Sequence, residues 1–555
     1  MLHAEIDAGM AGDIAKFEEQ LGRYLSGDLP EDVFRVFRLN NGIYGQRQGG
    51  HDQMVRVKIP YGGVRPEHLD LFARIADEYS RGWGHFTTRQ NVQFNWPRLE
   101  EVPDILAELA SVQMHSIQTS GNCIRNTTAD QFSGVAPDEV EDARPYCELI
   151  RQWSTFHPEF NYLPRKFKIA VCGSVADRAV VRVHDIGLVI VRDAGGAIGF
   201  EVIVGGGLGR TPMIGTTIRE FLPAPELLGY LEAILRVYNQ FGRRDHLFKS
   251  RIKILVKALG ADEFRARVER EWETTRRTVP PLTTAQLERA RSYFTAPYYE
   301  DIDAAACADS LAAARATSRA FDRWLQRNVG AHRVPGYAIV TLSLKRTGIA
   351  PGDVTDRQLE LVADLADAYS FGEVRVTHEQ NLVLADVPQP RLFELWEAVR
   401  AAGLATPNIG MLTDIICCPG GDLCSLANAK SIPVAEAIQR RFEDLDYLHD
   451  LGDIDLNISG CMNACGHHHV AQIGILGVDK KGAEFYQISL GGNQGTDAAL
   501  GTILGPSFAQ EDMPDVIGRI LDLYVAERHG DESFLETYRR IGIEPFRKAV
   551  YGASH

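Results

Sequence analysis

The chain has 555 residues, 24% of them charged, and a net charge of −15. That length allows two to four domains with sizeable cores, and the acidic balance argues against nucleic acid or an anionic membrane as a partner. The opening MLHAEIDAGMAGDIAKFEEQ lacks a basic n-region and a long apolar stretch, and no apolar run is long enough to span a bilayer. The expected location is therefore cytoplasmic.

In chain order, the first clear element is LDLFARIADEYS (69–80), where Leu69, Phe72, Ala73 and Ala76 recur at helical spacing. A short Gly-containing turn and a strand, FTTRQNVQF (86–94), follow, then a Pro-marked turn and a second amphipathic helix. The same succession returns 290 positions later as LELVADLADAYS (359–370) and VTHEQNLVL (376–384), without a gap. Each unit reads as β-α-β-β-α-β, a ferredoxin-like arrangement, and each leads into a larger segment of mixed strands and helices. The expected fold is α+β and internally duplicated about a pseudo-twofold axis. Its segments are a first ferredoxin-like unit with the N-terminus (1–110), a first larger domain (111–290), a connector (291–330), a second unit (331–405) and a second larger domain (406–555).

Within the first larger segment, YLPRKFKIAVCG reads as a turn and a strand. Strand periodicity puts Phe167, Ile169 and Val171 on one face and Lys166, Lys168 and Ala170 on the other, so two ammonium groups project together. VGGGLGR (204–210) is not a dinucleotide fingerprint, because the motif requires glycine where Arg210 or Pro212 stands. It and LGGNQG (490–495) read as turns at which backbone approaches something closely. With no P-loop, nicotinamide or flavin signature, electrons for any redox chemistry must come from another protein.

The chain has nine cysteines, better read as ligands or small buried hydrophobes than as disulfides. CCPGGDLC places five residues between Cys418 and Cys424, and GCMNAC places three between Cys461 and Cys465. Zinc sites favour shorter and similar spacings, whereas a cubane iron–sulfur cluster tolerates wider, unequal ones. Zinc and unrelated buried cysteines stay as alternatives on spacing alone. His467, His468 and His469 are consecutive and cannot all point at one ion from a regular element.

CPGGDLC with GCMNAC resembles the signature of sirohaem-dependent sulfite and nitrite reductases, and the likeness runs from about residue 35 to 545. The resemblance implies a [4Fe–4S] cluster on Cys418, Cys424, Cys461 and Cys465, with Cys465 also bound to sirohaem iron and Cys417 only a neighbour. TTRQNVQF, SGNCIRNTT and LPRKFK resemble the family's substrate segments, which makes Arg89, Arg125, Lys166 and Lys168 the expected catalytic cations. In the second repeat Glu379 stands where the first has Arg89. Sirohaem carries eight carboxylates, so Arg47, Arg56, Gln46, Gln48, Gln90 and Asn91, with the Gly206–Gly207 turn, are expected near it. Cys123 is a candidate for a thioether to Tyr44 or Tyr61, beside the simpler reading of a buried thiol.

Plant-type nitrite reductases tend to carry a neutral amide at the position of Lys168. A second ammonium suits sulfite, largely dianionic near neutrality, over the nitrite monoanion. The expected activity is assimilatory reduction of sulfite to sulfide, with nitrite reduction to ammonia as the alternative. The donor is a ferredoxin or a separate NADPH-dependent flavoprotein, and neither nucleic acid nor membrane is a partner.

Overall fold

The structure is a computed structural model that describes residues 3–552. The first repeat comprises β1 (Ile43–Gly45), β2 (Asp52–Val57), β3 (Gly63–Val64), the helix Pro66–Glu78, β4 (Trp83–Phe86), β5 (Val92–Arg98) and the helix Val102–Ser111. It runs into β6 (Thr128–Ala129), β7 (Ile169–Cys172), β8 (Ile186–Arg192), β9 (Ile198–Val204) and β10 (Thr216–Pro223). The second repeat comprises β11 (Val329–Ala331), β12 (Tyr337–Leu342), β13 (Asp353–Thr355), the helix Asp356–Tyr369, β14 (Val374–Val376), β15 (Leu382–Pro388) and the helix Leu392–Ala401. Then come β16 (Ile416–Cys417), β17 (Leu456–Ser459), β18 (Ile473–Lys480), β19 (Ala483–Leu490) and β20 (Thr502–Ile503).

Among the described residues these strands form four five-stranded sheets: β1-β2-β5-β4-β13, β10-β9-β8-β7-β6, β11-β12-β15-β14-β3 and β16-β17-β18-β19-β20. The first and third are fused by exchange. β13 of the second repeat pairs with β4 of the first (His85 opposite Asp353), and β3 of the first pairs with β14 of the second (Val64 opposite Val374). Each repeat thus lends the strand before its helix to the other's sheet. The two helices, apolar at Leu69, Phe72 and Ala76 and at Leu359, Val362 and Ala366, bury those faces in one core shared by both repeats. Thr355 caps its helix reciprocally with Gln358, each side chain meeting the other's backbone N–H.

The ferredoxin-like reading holds with differences beyond the exchange: the strands expected over 86–94 and 376–384 are each broken by a turn, between β4 and β5 and between β14 and β15. Past the second helix of each repeat the expected last strand shrinks to a single contact, the bridge Lys58–His115 in one and Ser343 N–H to Leu404 O (3.0 Å) in the other. Left-handed backbone at Gln113 and Gln118 (φ 61° and 64°) turns the chain out of the sheet toward the larger domain, and β1 and β11 take the edges instead. In the connector, Phe321 and Trp324 of the helix Arg319–Asn328 enter the shared core. The two larger domains have cores of their own, around Tyr146, Phe200 and Tyr230 in the first and Ile458, Tyr486 and Ile517 in the second. No helix among the described residues is long and apolar enough to cross a membrane.

Gln90 and Gln380 lock the four sheets together. Both sit in left-handed backbone (φ 54° and 65°) at equivalent turns. The Gln90 amide donates to Ala129 O (2.9 Å) and Val376 O (3.0 Å) and accepts from Ala129 N–H (3.1 Å). That of Gln380 donates to Cys417 O (3.0 Å) and Phe86 O (2.9 Å) and accepts from Cys417 N–H (2.8 Å). Each glutamine therefore ties its own larger domain to the other repeat. Gln90, expected as a sirohaem contact, is fully buried with its amide committed to this joint. Gln90→Leu should strand three backbone groups and cost on the order of 3 kcal/mol. Calorimetry should show a transition several degrees lower with sirohaem absorbance per protein unchanged; lost absorbance at an unchanged transition would instead make Gln90 a cofactor contact.

Candidate active site

Between the halves lies a cavity of about 110 Å³. Its lining includes Arg56, Arg89, Arg125, Lys166 and Lys168 from the first half and Cys418 and Cys465 from the second, and among the described residues no Asp or Glu. Elsewhere arginines pair freely with carboxylates, but none of these five cations does, among the described residues. The Arg89 guanidinium donates to Thr128 Oγ1 (3.1 Å), His184 Nε2 (2.5 Å) and the Asn126 carbonyl. His184 donates from Nδ1 to Val180 O (2.8 Å), and burial holds it well below the usual histidine range, so it is neutral and its Nε2 is free to accept. Among the described residues Arg125 donates to the carbonyls of Thr119 (2.7 Å) and Gly121 (3.1 and 2.8 Å). Arg56 lies opposite Gln93 across β2 and β5 and donates to Gln93 Oε1 (2.9 and 2.6 Å) and Tyr44 Oη (3.2 Å).

The two lysines occupy the strand face expected of them. Lys168 is set by Asp185, whose carboxylate accepts its backbone N–H (2.8 Å) and forms a buried ion pair with Arg251 (2.8 Å). Burial pushes Lys168 well below the ordinary lysine range, and Arg89 and Lys166 add to this by repulsion. Burial likewise brings Lys166 down to about 8 and Arg89 to about 9. A cavity this crowded with cations favours an anion.

Cys418 and Cys465 stand on the other wall. Cys465 acts electrostatically on Cys418, Cys424 and Cys461. Burial, reinforced by the neighbouring sulfurs, pushes Cys418 up to about 12 and Cys461 up to about 11, so an attached cationic centre is needed to hold them as thiolates. The Gly460 N–H points at Cys418 Sγ (3.2 Å). The loops are packed to the backbone: a Cβ on Gly460 would lie 2.6 Å from Ala429 O, and one on Gly466 2.1 Å from Ile458 O. Thr88 Oγ1, beside Arg89, donates to Cys465 O (2.8 Å) and so ties the cation loop to the thiol loop. Four thiols on rigid loops fit an iron–sulfur cluster, with Cys418, Cys424, Cys461 and Cys465 as the residues that would hold it. The five cations, unpaired with carboxylates among the described residues, are the complement a polycarboxylate macrocycle beside Cys465 would need.

The pseudo-twofold gives this site a twin of opposite character. β7 pairs with β8 as β17 does with β18 (Ile169 opposite Ile186, Leu456 opposite Ile473), so Asp455 holds the place of Lys168. Asp130 follows β6 as Cys418 follows β16. Ser174 and Arg178 precede the left-handed Val180 (φ 53°) as Cys461 and Cys465 precede the left-handed His467 (φ 58°). In the first half those positions close on one another: Ser174 Oγ donates to Asp130 (2.7 Å), and Arg178 Nε donates to both Asp130 oxygens (3.1 and 3.0 Å). An ion pair fills the seat that thiols occupy in the second half, and Glu379 and Asp455 replace Arg89 and Lys168.

Several expected contacts lie elsewhere. Arg47 does not line the cavity; its N–H and Nη1 donate to Leu423 O (3.0 Å) and Ala427 O (3.1 Å), pinning the Cys424 loop. Gly206 and Gly207 are also outside the lining. A Cβ on Gly206 would lie 2.3 Å from Arg182 O, and Gly207 O accepts from Lys253 Nζ (3.1 Å), so their close approach is to their own domain. Asn91 does line the cavity, with its Oδ1 accepting from Asn126 Nδ2 (2.9 Å). Cys417 lines the cavity beside Cys418 and also packs into the core of its domain. Tyr44 feels Arg125 and Ser120 beside the Cys123 loop, while Tyr61 lines a different cavity. Missed by sequence were Thr88, Gln93, Gln118, His184, Asp185 and Arg251. The alternation of Asn91, Gln93 and Asn95 with Val92 and Phe94 marks Gln93 as facing away from the core, but nothing local marks the others.

The model of the nitrite and sulphite reductase 4Fe-4S domain matches residues 120–276 and 411–554, and that of the nitrite/sulfite reductase ferredoxin-like half domain matches 44–112 and 342–402. A ferredoxin sulfite reductase of Mycolicibacterium paratuberculosis is 28% identical over 91% of this chain and 88% of its own length. The chloroplastic ferredoxin–nitrite reductase of Arabidopsis thaliana is 26% identical over 86% and 78%. The solved structure of the NirA protein of Mycobacterium tuberculosis superposes with a TM-score of 0.77 at 26% identity, covering 93% of this chain and 92% of that one. The chain belongs to the nitrite and sulfite reductase family, which depends on a [4Fe–4S] cluster and sirohaem. Cys465→Ser should yield a folded protein whose electron paramagnetic resonance no longer shows a haem coupled to the cluster. Unchanged spectra would remove Cys465 from the bridging role.

Proposed function

We propose that this protein is an assimilatory sulfite reductase that takes six electrons, one at a time, from a ferredoxin and reduces sulfite to sulfide. The observation that carries this reading is the cavity with Arg89, Arg125, Lys166 and Lys168 and without a carboxylate among the described residues. A dianion gains more from such a site than a monoanion does. The ferredoxin donor is supported by the name of the mycobacterial relative, which this chain matches along most of its length.

Sirohaem, when bound, supplies the iron at which sulfur is reduced, and the cluster supplies its electrons singly. The residues of the chain do the rest. Arg89 and Arg125, fixed by neutral partners, hold the oxyanion without spending their charge on the protein. Lys166 and Lys168 face it with ammonium groups that burial has made ready to give up protons, and each oxygen leaving as water takes two. Thr88 keeps the cation loop in register with Cys465.

The test is steady-state reduction of sulfite and of nitrite with reduced methyl viologen, which bypasses the natural donor. A higher kcat/KM for sulfite with stoichiometric sulfide supports the reading, and a clear preference for nitrite replaces it with nitrite reduction to ammonia. Lys168→Asn should lower kcat/KM for sulfite by about 10- to 100-fold, the worth of a charged hydrogen bond, and that for nitrite much less. Equal losses would show that Lys168 does not set the preference.

A further inference from the structure

A second and larger cavity, about 770 Å³, has Lys58, Tyr61 and His115 on its lining. Tyr293 and Phe371 on its lining are 40% and 49% exposed, so it opens to solvent. Deep on its wall is Lys58, 2% exposed, at the bridge to His115 where the chain leaves the first repeat. Lys58 Nζ donates to Gln118 Oε1 at 2.6 Å, and Gln118 lines the cavity that holds Arg125, Lys166 and Lys168. Gln118 is held from both ends, with Thr155 Oγ1 donating to its Oε1 (3.1 Å) and its Nε2 donating to Ser154 Oγ (3.2 Å). One hydrogen bond thus separates a solvent-connected chamber from the reaction cavity.

We propose that the large cavity is the proton entrance of the enzyme and that Lys58 passes protons through its wall at Gln118. This rests on the proposal that an oxyanion is reduced in the smaller cavity. An N–H bond of the Lys58 ammonium breaks, and its proton goes to water beside Gln118 and on to an oxygen leaving the substrate. The lone pair left on Nζ takes the next proton from water in the large cavity. One proton moves per cycle and no electron does.

The surroundings suit that exchange. Facing Lys58 are Glu148 and Arg151 of the helix Arg144–Ser154, His115 across the bridge, and Cys123 and Gln118 of the loop. Glu148 and Arg151 neutralise one another through two bonds (2.7 and 2.6 Å), and His115 is held neutral by burial and by Lys58. His115 Nδ1, buried on the same wall, has no hydrogen-bond partner among the described residues. Burial, with repulsion from Arg151, brings Lys58 down to about 7, where an amine both holds and releases protons.

Two measurements on the cofactor-loaded chain test this. Competitive labelling with acetic anhydride, read by peptide mass spectrometry, should give Lys58 a midpoint near 7, against about 10.4 for ordinary lysines. With reduced methyl viologen as donor, Lys58→Ala should lower kcat about tenfold or more with little change in KM. Methylamine, small enough for the large cavity, should restore part of the rate. Lys58→Arg, which keeps charge and hydrogen bond but does not release a proton near neutrality, should be as slow as the alanine variant. An arginine variant at full rate, an alanine loss that methylamine does not restore, or a labelling midpoint near 10 would each overturn the proposal. If nitrite proves the better substrate, the same loss and rescue with nitrite leave this proposal standing and overturn only the choice of oxyanion.

Discussion

Because β3 pairs within the sheet of the second repeat and β13 within that of the first, neither repeat completes its sheet without the other. The helices before and after the exchange then bury one shared core, and Gln90 and Gln380 fasten each larger domain to the opposite repeat. These links fix where the two larger domains meet. The cation-bearing segments 87–89, 118–125 and 166–168 face Cys418 and Cys465 across one cavity, with Thr88 bonded to the Cys465 backbone. Rigid scaffolds of this kind hold catalytic groups in place without cost at the moment of reaction.

Duplication supplies two equivalent sites, and the side chains make only one of them reactive. Where the second half has cysteines at the ends of β16 and β17, the first has Asp130, Ser174 and Arg178, which satisfy one another. Where the first half has Arg89 and Lys168, the second has Glu379 and Asp455. Buried charges must be paired or bound to something. The first-half thiol seat is closed by its own ion pair, while the first-half cations and second-half thiols are left to pair with ligands from outside. Under the proposed function, those ligands are the cofactors and the oxyanion.

Much of this was legible in the sequence, because it repeats there. The offset between Leu69 and Leu359 carries through to the matching strands β5 and β15, whose bounds differ by the same amount. The strand alternation around Phe167 placed Lys166 and Lys168 on one face, and the cysteine spacing marked the loops that converge. Strand exchange was not legible, since β3 and β13 are two or three residues long and pair across the repeats. Gln90 looked like a cofactor contact because a Gln-Asn pair in what reads as a strand carries no sign that the structure will make a turn there and spend the amide on backbone of another domain. Asp185 and Arg251 stand far apart in the chain and meet only through the fold.

The central claim is that the thiol wall of the second half and the cation wall of the first enclose one iron site, and that the symmetric position is closed. Crystallography of the loaded protein with anomalous scattering at the iron edge tests it directly. The account predicts a compact group of irons among Cys418, Cys424, Cys461 and Cys465, one further iron between Cys465 and Lys166, and none near Asp130 and Arg178. Iron at the Asp130–Arg178 position, or a separate iron remote from the lysines, would contradict it.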